Sequence, residues 1–114
     1  MGAIVYSVER QRELYLSAKA LLHELNYNIR LFYCDCYEGL PTYAPFDKIL
    51  VTAASPVVPE KLKHQMKTGG RLVVPLGGKG TQVMTTVDRI SDSEYEISEH
   101  GYFSFVPLLK GTVK

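Results

Sequence analysis

The sequence is short of cysteine, of long apolar runs and of any excess of one charge, and each shortage removes a class of protein. Its two cysteines, Cys34 and Cys36, stand one residue apart. They are too few and too close for the disulfide framework of a small secreted domain, so a reducing, cytoplasmic setting is expected. No apolar stretch approaches the roughly 18 residues of a membrane span, and MGAIVYSVER lacks the basic start, long apolar middle and small-residue cleavage site of a secretory signal. Thirteen Lys and Arg against twelve Asp and Glu leave a net charge of +1, which removes any composition-based case for nucleic acid or an acidic membrane as partner. No repeat, low-complexity tract or linker-like shift interrupts the chain. What remains is 114 residues of ordinary apolar content, read as a single domain over 1–114. That length suffices to bury a core without metal or disulfide support.

Apolar spacing organises the chain into alternating strands and helices. Ile4–Val8 is a short β-rich run. From Gln11 to Asn26, Leu14, Ala18, Leu21, Leu22 and Leu25 recur at helical spacing, and Asn26 is a natural stop because asparagine tolerates a left-handed backbone. Ile29–Tyr33 reads as a second strand. After a loop bracketed by Pro41 and Pro45, Lys48–Ala53 is nearly continuous apolar sequence, which predicts a strand covered on both faces, as in a parallel sheet. Pro59 and Glu60 suit the first turn of a helix, with Val58, Leu62 and Met66 as its buried stripe and Gly69-Gly70 as its stop. Arg71–Leu76 is a further buried-type strand. Gly77–Gly80 then forms a turn, Thr81–Ile90 a strand with Val83, Thr85 and Val87 on one face, and Tyr95–Phe105 a long strand bent near Gly101. Strands joined by a short turn are antiparallel. The fold class is α/β: an open sheet of parallel strands finished by a C-terminal antiparallel hairpin.

Glu9 follows the first strand and precedes a helix, so it lies at a carboxyl edge, where open α/β sheets bind ligands. A carboxylate there can accept hydrogen bonds from both hydroxyls of a ribose; the plainer reading is a solvated group favoured by the helix dipole. A ribose-binding acid calls for a glycine-rich loop about 20 residues earlier. Only eight residues precede Glu9, and they hold one glycine. Asp35, after Ile29–Tyr33, is placed either to accept from an exocyclic amine or to cap its own turn. Cys34-x-Cys36 has neither the ligand number of a zinc site nor the spacing of a redox pair, and His23, His64 and His100 are scattered. Gly77-Gly78-Lys79-Gly80-Thr81 departs from a phosphate loop because Gly80, not Ser or Thr, follows Lys79 and strand formers come next. Thr52-Ala53-Ala54-Ser55-Pro56 ends a strand with small residues, open either to close approach by a ligand or simply to a tight exit. Ser55 lacks the flanking glycines of a nucleophile elbow.

Five stretches, in order and spanning nearly the whole chain, resemble the protein-L-isoaspartate (D-aspartate) O-methyltransferase family. They are Val5-Tyr6-Ser7-Val8-Glu9-Arg10, Leu40-Pro41-x-x-Ala44-Pro45-Phe46-Asp47, Ile49-Leu50-Val51-Thr52-Ala53-Ala54, Gly69-Gly70-Arg71-Leu72-Val73-Val74-Pro75-Leu76-Gly77 and Phe105-Val106-Pro107-Leu108. The resemblance implies a class I (Rossmann-like) fold with strand order 3-2-1-4-5-7-6. It implies S-adenosylmethionine as cofactor and methylation of the α-carboxyl of L-isoaspartyl residues in damaged proteins, a repair activity. It makes Glu9 the acid that holds the cofactor ribose, puts Asp35 and Cys36 beside the adenine, and assigns Thr52 to the cofactor and Ala53, Ala54 and Pro56 to the substrate. No catalytic residue is assigned.

Two departures accompany the resemblance. Cys34-Asp35-Cys36 stands where the family has Gly-Asp-Gly, putting side chains where backbone passes close to adenine. The family's first strand, its Gly-rich cofactor loop and the substrate segment before them have no counterpart, so the chain reads as an incomplete, C-terminal portion of the methyltransferase domain. Weak or absent binding of the cofactor is therefore expected of this chain alone. The alternative is a non-catalytic binding domain that kept the scaffold. Loss of a central strand also exposes two strand edges, so either the sheet closes up, Ile4–Val8 beside Lys48–Ala53, or the chain self-associates, which light scattering reads directly.

Overall fold

The computed structural model describes residues 3–114. The chain forms two compact units, one made of the chain up to Gly39 with Leu109–Lys114, the other of Leu40–Leu108. Among the described residues no helix is long and apolar enough to cross a membrane.

In the first unit, β1 (Val5–Glu9) and β2 (Ile29–Tyr33) pair in parallel, Val5 opposite Ile29 and Glu9 opposite Tyr33, joined through helix α1 (Arg12–Glu24). A parallel pair needs such a crossover because its strands start at the same end. Asn26 takes the left-handed conformation expected of it, φ 63°. The Tyr6 and Phe32 rings stack 6.2 Å apart, a cross-strand contact of the kind that holds small sheets together. The helical stripe does not bury itself: no residue of α1 is buried, and Leu14 and Leu21 remain 51% and 54% exposed. The C-terminal tail completes the unit. Val113 accepts a hydrogen bond from the Arg12 N–H and donates one to the Arg10 carbonyl, both 2.7 Å.

The second unit is a four-stranded sheet in the order β3 (Phe46–Leu50), β4 (Met66–Leu76), β5 (Gln82–Arg89), β6 (Tyr95–Phe103), with α2 (Glu60–Lys63) between β3 and β4. β3 runs parallel to β4, and the next two pairs are antiparallel. One face of the sheet carries the core: Val51, Leu62, Met66, Leu72, Val74 and Val87 are buried, with Ile49, Val58, Leu76, Tyr95 and Leu108 packed against them.

Four expectations are corrected here. The strands form two ladders rather than one closed-up sheet, β1 with β2 and β3 with β4. Within the second sheet, β5 lies beside β4 and β6 forms the edge, whereas the order implied by the resemblance places the last strand between them. The short glycine turn after Leu76 decides this, because a two-strand connection of that length returns the chain to its immediate neighbour. The third strand is shorter than Lys48–Ala53 and is not covered on both faces, since Leu50 is 70% exposed. Finally, the helix after Pro59 is a single turn, and Gly69-Gly70 lies inside β4 rather than ending a helix. Between the pairs Phe46–Met66 and Lys48–Arg71 the register shifts, so that β4 carries extra residues. The glycines serve that bulge, Gly69 at φ 84°. Leu62 and Met66 are nevertheless buried as expected, one from the helix and one from the strand. The bend near Gly101 is present: φ is 110°, and the β5–β6 register slips between Val83 and Thr85 opposite it.

Candidate functional site

Glu9 is the last residue of β1 and Asp35 follows β2 by two residues, so parallel pairing delivers both carboxylates to one carboxyl edge. Each is partly used by its own loop. Glu9 Oε2 accepts from the Gln11 N–H at 3.0 Å, just ahead of α1, and Asp35 Oδ1 accepts from the Tyr37 N–H at 2.8 Å, the turn-capping geometry characteristic of aspartate. Asp35 thus caps its own turn, whereas Glu9 is half-buried at the end of β1, ahead of α1 rather than in its first turn. A carboxylate has about four lone-pair positions, so each keeps acceptor capacity beyond these bonds.

Cys36 lies between the two acids electrostatically. Burial pushes its thiol pKa up, Glu9 adds to the rise, and Cys34 and Asp35 add further, while Arg10 opposes it. Burial also raises Cys34, with Asp35 contributing. Both cysteines are free thiols. The Cys36 Sγ points back onto β1, 3.8 Å from the Val8 carbonyl oxygen. A thiol whose folded pKa is raised keeps its proton where the unfolded chain has lost it. Its contribution to stability is complete below the ordinary thiol value, about 8.5, and is lost as pH rises through the folded value. We expect the melting temperature of the wild type to fall more steeply above about pH 8.5 than that of Cys36→Ala. Parallel curves for the two proteins between neutral and alkaline pH would contradict this.

Sequence reasoning missed the neighbours of this edge. The Arg10 Nε donates to the Gly111 carbonyl at 3.3 Å, and the Tyr33 hydroxyl donates to the Val113 carbonyl at 3.2 Å. No local signal marks these, since the partners lie 80 or more residues away in the chain. An open depression of about 520 Å³, lined by Leu16, Leu22, Tyr27 and Ile29 among others, opens at the start of β2 rather than at the carboxyl edge.

The remaining candidates, Thr52, Ala53, Ala54 and Pro56, belong to the second unit. The parallel ladder reaches Val51, whose N–H donates to the Val73 carbonyl at 2.9 Å. Pro75 comes next on β4 and has no N–H to offer. The chain leaves the ladder and rejoins it at Ser55, whose N–H donates to the Pro75 carbonyl at 2.9 Å, and Ser55 in turn accepts from the Gly77 N–H at 2.9 Å. On the other side Ala54 donates to the Val106 carbonyl and accepts from the Leu108 N–H, both 2.7 Å. The Ala54 backbone is thus spent on structure. Thr52 and Pro56 are exposed and Ala53 is half-buried. Ser55 is fully buried and its hydroxyl donates to the Val57 carbonyl. Among the described residues, no group of three His, Cys, Asp or Glu is placed to hold a metal ion.

The chain as a whole is similar to known proteins of one family. The family model described as protein-L-isoaspartate(D-aspartate) O-methyltransferase matches residues 1–113. Proteins named protein-L-isoaspartate O-methyltransferase from Christiangramia forsetii and Flavobacterium psychrophilum are 51% and 48% identical, each over 96% of this chain and 52% of their own length. A solved structure of that name is 28% identical with a TM-score of 0.86, covering 96% of this chain and 35% of the other. A Plasmodium falciparum PCMT in complex with S-adenosyl-L-homocysteine shares the fold, with 22% identity and a TM-score of 0.81, over 95% of this chain and 53% of its own. The chain spans about half the length of the curated relatives it matches. With a match over nearly all its residues, the chain belongs to the protein-L-isoaspartate(D-aspartate) O-methyltransferase family.

Proposed function

We propose that the chain serves protein-L-isoaspartate O-methylation, contributing the C-terminal portion of a methyltransferase domain to the transfer of a methyl group from S-adenosylmethionine to the α-carboxyl of an isoaspartyl residue in a damaged protein. The observation that carries this reading is the pair of carboxylates, Glu9 and Asp35, at the carboxyl ends of adjoining parallel strands. Glu9 is suited to the ribose hydroxyls and Asp35, with Cys36, to the adenine edge, and the turn of Cys36 Sγ onto Val8 takes that side chain out of the way. Thr52 lies toward the cofactor in this reading, and Ala53, Ala54 and Pro56 toward the substrate. The names of the relatives support the enzyme over a non-catalytic scaffold.

When bound, the cofactor supplies an electrophilic methyl group on a sulfonium. The acceptor carboxylate is already ionised at neutral pH and needs no strong base, so the protein's task is to align the two and keep water out. The residues present fit the adenosine end of that cofactor. None of the residues assigned here is directed to its methionine end. The two free thiols support a reducing, cytoplasmic setting, and the exposed Leu14 and Leu21 support self-association.

With only the adenosine end held by the assigned residues, calorimetric titration of the chain with S-adenosylmethionine is expected to give no more than weak binding, and micromolar affinity would refute this. Adenosine at millimolar concentration is expected to shift the amide resonances of Gln11 and Tyr37, which the two carboxylates hold. Glu9→Gln should abolish the Gln11 response. Shifts confined to other residues, or none, would sink the assignment of this edge. Methyl release with an isoaspartyl peptide tests the activity itself.

A further inference from the structure

Gln82 carries a polar side chain into the interior of the second unit, only 2% exposed, and every hydrogen-bonding direction it uses ends on backbone. Its Nε2 donates to the Gly78 carbonyl at 2.7 Å and to the Gly80 carbonyl at 3.2 Å. Its Oε1 accepts from the Phe105 N–H at 2.7 Å. Buried polar groups persist when their bonds are made, and a lost partner costs the full desolvation of the group left behind. Gln82 therefore ties two segments together: the glycine turn after β4 and the stretch that begins at Phe105.

Those are the two segments that hold the Thr52–Ser55 loop. The turn begins at Gly77, whose N–H donates to the Ser55 carbonyl, and the Phe105 stretch continues into Val106 and Leu108, which bond both backbone groups of Ala54. The fit at the clip is close. A Cβ at Gly77 would lie 3.3 Å from the Gln82 Cα and 3.4 Å from its Cγ, and the Ser104 hydroxyl reinforces the same junction by donating to the Gly80 carbonyl at 3.1 Å. Pro75 interrupts the ladder beside the loop, so strand pairing alone does not hold residues 52–54.

We propose that Gln82 is a positioning residue: one buried amide sets the spacing of the two flanking segments and thereby the conformation of the Thr52–Ser55 loop. That the loop borders the substrate rests on the function proposed above; that Gln82 sets the loop does not. Methionine matches glutamine in length and flexibility but makes none of the three bonds.

The test is amide hydrogen exchange, residue by residue, on the whole chain. In Gln82→Met, the amides of Phe105, Ala54 and Leu108 are expected to exchange at least about tenfold faster, while those of Val51 and Val87 in the core keep their protection. A residue with a merely structural role would change all five alike. Uniform loss of protection, or unchanged exchange at Ala54 and Leu108, overturns the proposal. Should Gln82→Met fail to fold, Gln82→Asn, one methylene too short to span both segments, is read in the same way. Any kcat/KM that the wild-type chain shows for an isoaspartyl peptide is expected to fall about tenfold in the same variant, since small misplacement of reacting groups is costly. The exchange measurement decides the role of Gln82 whether or not this chain alone transfers methyl groups, and so independently of the proposed function.

Discussion

Replacing Leu72 by alanine is expected to destabilise the Leu40–Leu108 unit by about 3 kcal/mol. Leu72 is fully buried at the centre of β4. Its neighbours across the sheet are Ile49 on β3 and Val87 on β5, and Met66, Leu62, Val51 and Val74 complete the cluster around it. Removing three carbons there loses their transfer energy and leaves a cavity, because a sheet held by ladders on both sides cannot collapse to fill it. The melting temperature of that unit should fall by about 10 °C or more. Ile97→Ala is the control. Ile97 occupies the same row one strand further out, opposite Val87, but is 58% exposed, and its loss should cost less than about 1 kcal/mol. Equal effects in thermal or urea unfolding would show that β4 is not the centre of the core.

The second large effect is expected at Gly70. A Cβ built there would lie 2.8 Å from the Lys67 carbonyl oxygen, 3.0 Å from that of Asp47 and 3.2 Å from that of Phe46. All three atoms are backbone, so none can swing aside as the end of a flexible side chain would. Gly70→Ala therefore has to open the bulge that lets β4 pair with β3, and a loss of roughly 2 kcal/mol or more is expected. Gly78 provides the contrast, because a Cβ there meets nothing within 4 Å and its φ is not in the left-handed region. Gly78→Ala should be neutral or slightly stabilising, through the lower freedom of the unfolded chain. A Gly70→Ala protein as stable as the wild type would mean that the bulge relaxes freely.

The two glycines of the Gly69-Gly70 pair illustrate where sequence reading stops. Gly-Gly after an apolar helical stripe is a sound helix stop by local rules, and Leu62 and Met66 do point into the core. What local rules miss is that Met66 already pairs with Phe46 and that extra residues of β4 must be accommodated before Arg71 meets Lys48. That surplus is a property of two strands together. Likewise Lys48–Ala53 reads as a doubly covered strand because its residues are apolar, yet coverage depends on what packs against it, and Leu50 stays in the open.

Some features were legible because their causes are local. Ile29–Tyr33 is a strand within its expected bounds. Asn26 turns left-handed, the glycine turn returns β5 alongside β4, and Glu9 and Asp35 stand at strand ends. Steric and hydrogen-bonding preferences of a few consecutive residues suffice for each, and the ordered motifs identify the family. The bulge, the pinning of Ala54 and the burial of Gln82 had no such signature. Each is settled by bonds between residues distant in the chain, such as Phe105 with Gln82 or Leu108 with Ala54. Those bonds exist only once the sheet has brought the segments together, and so only the tertiary structure could decide them.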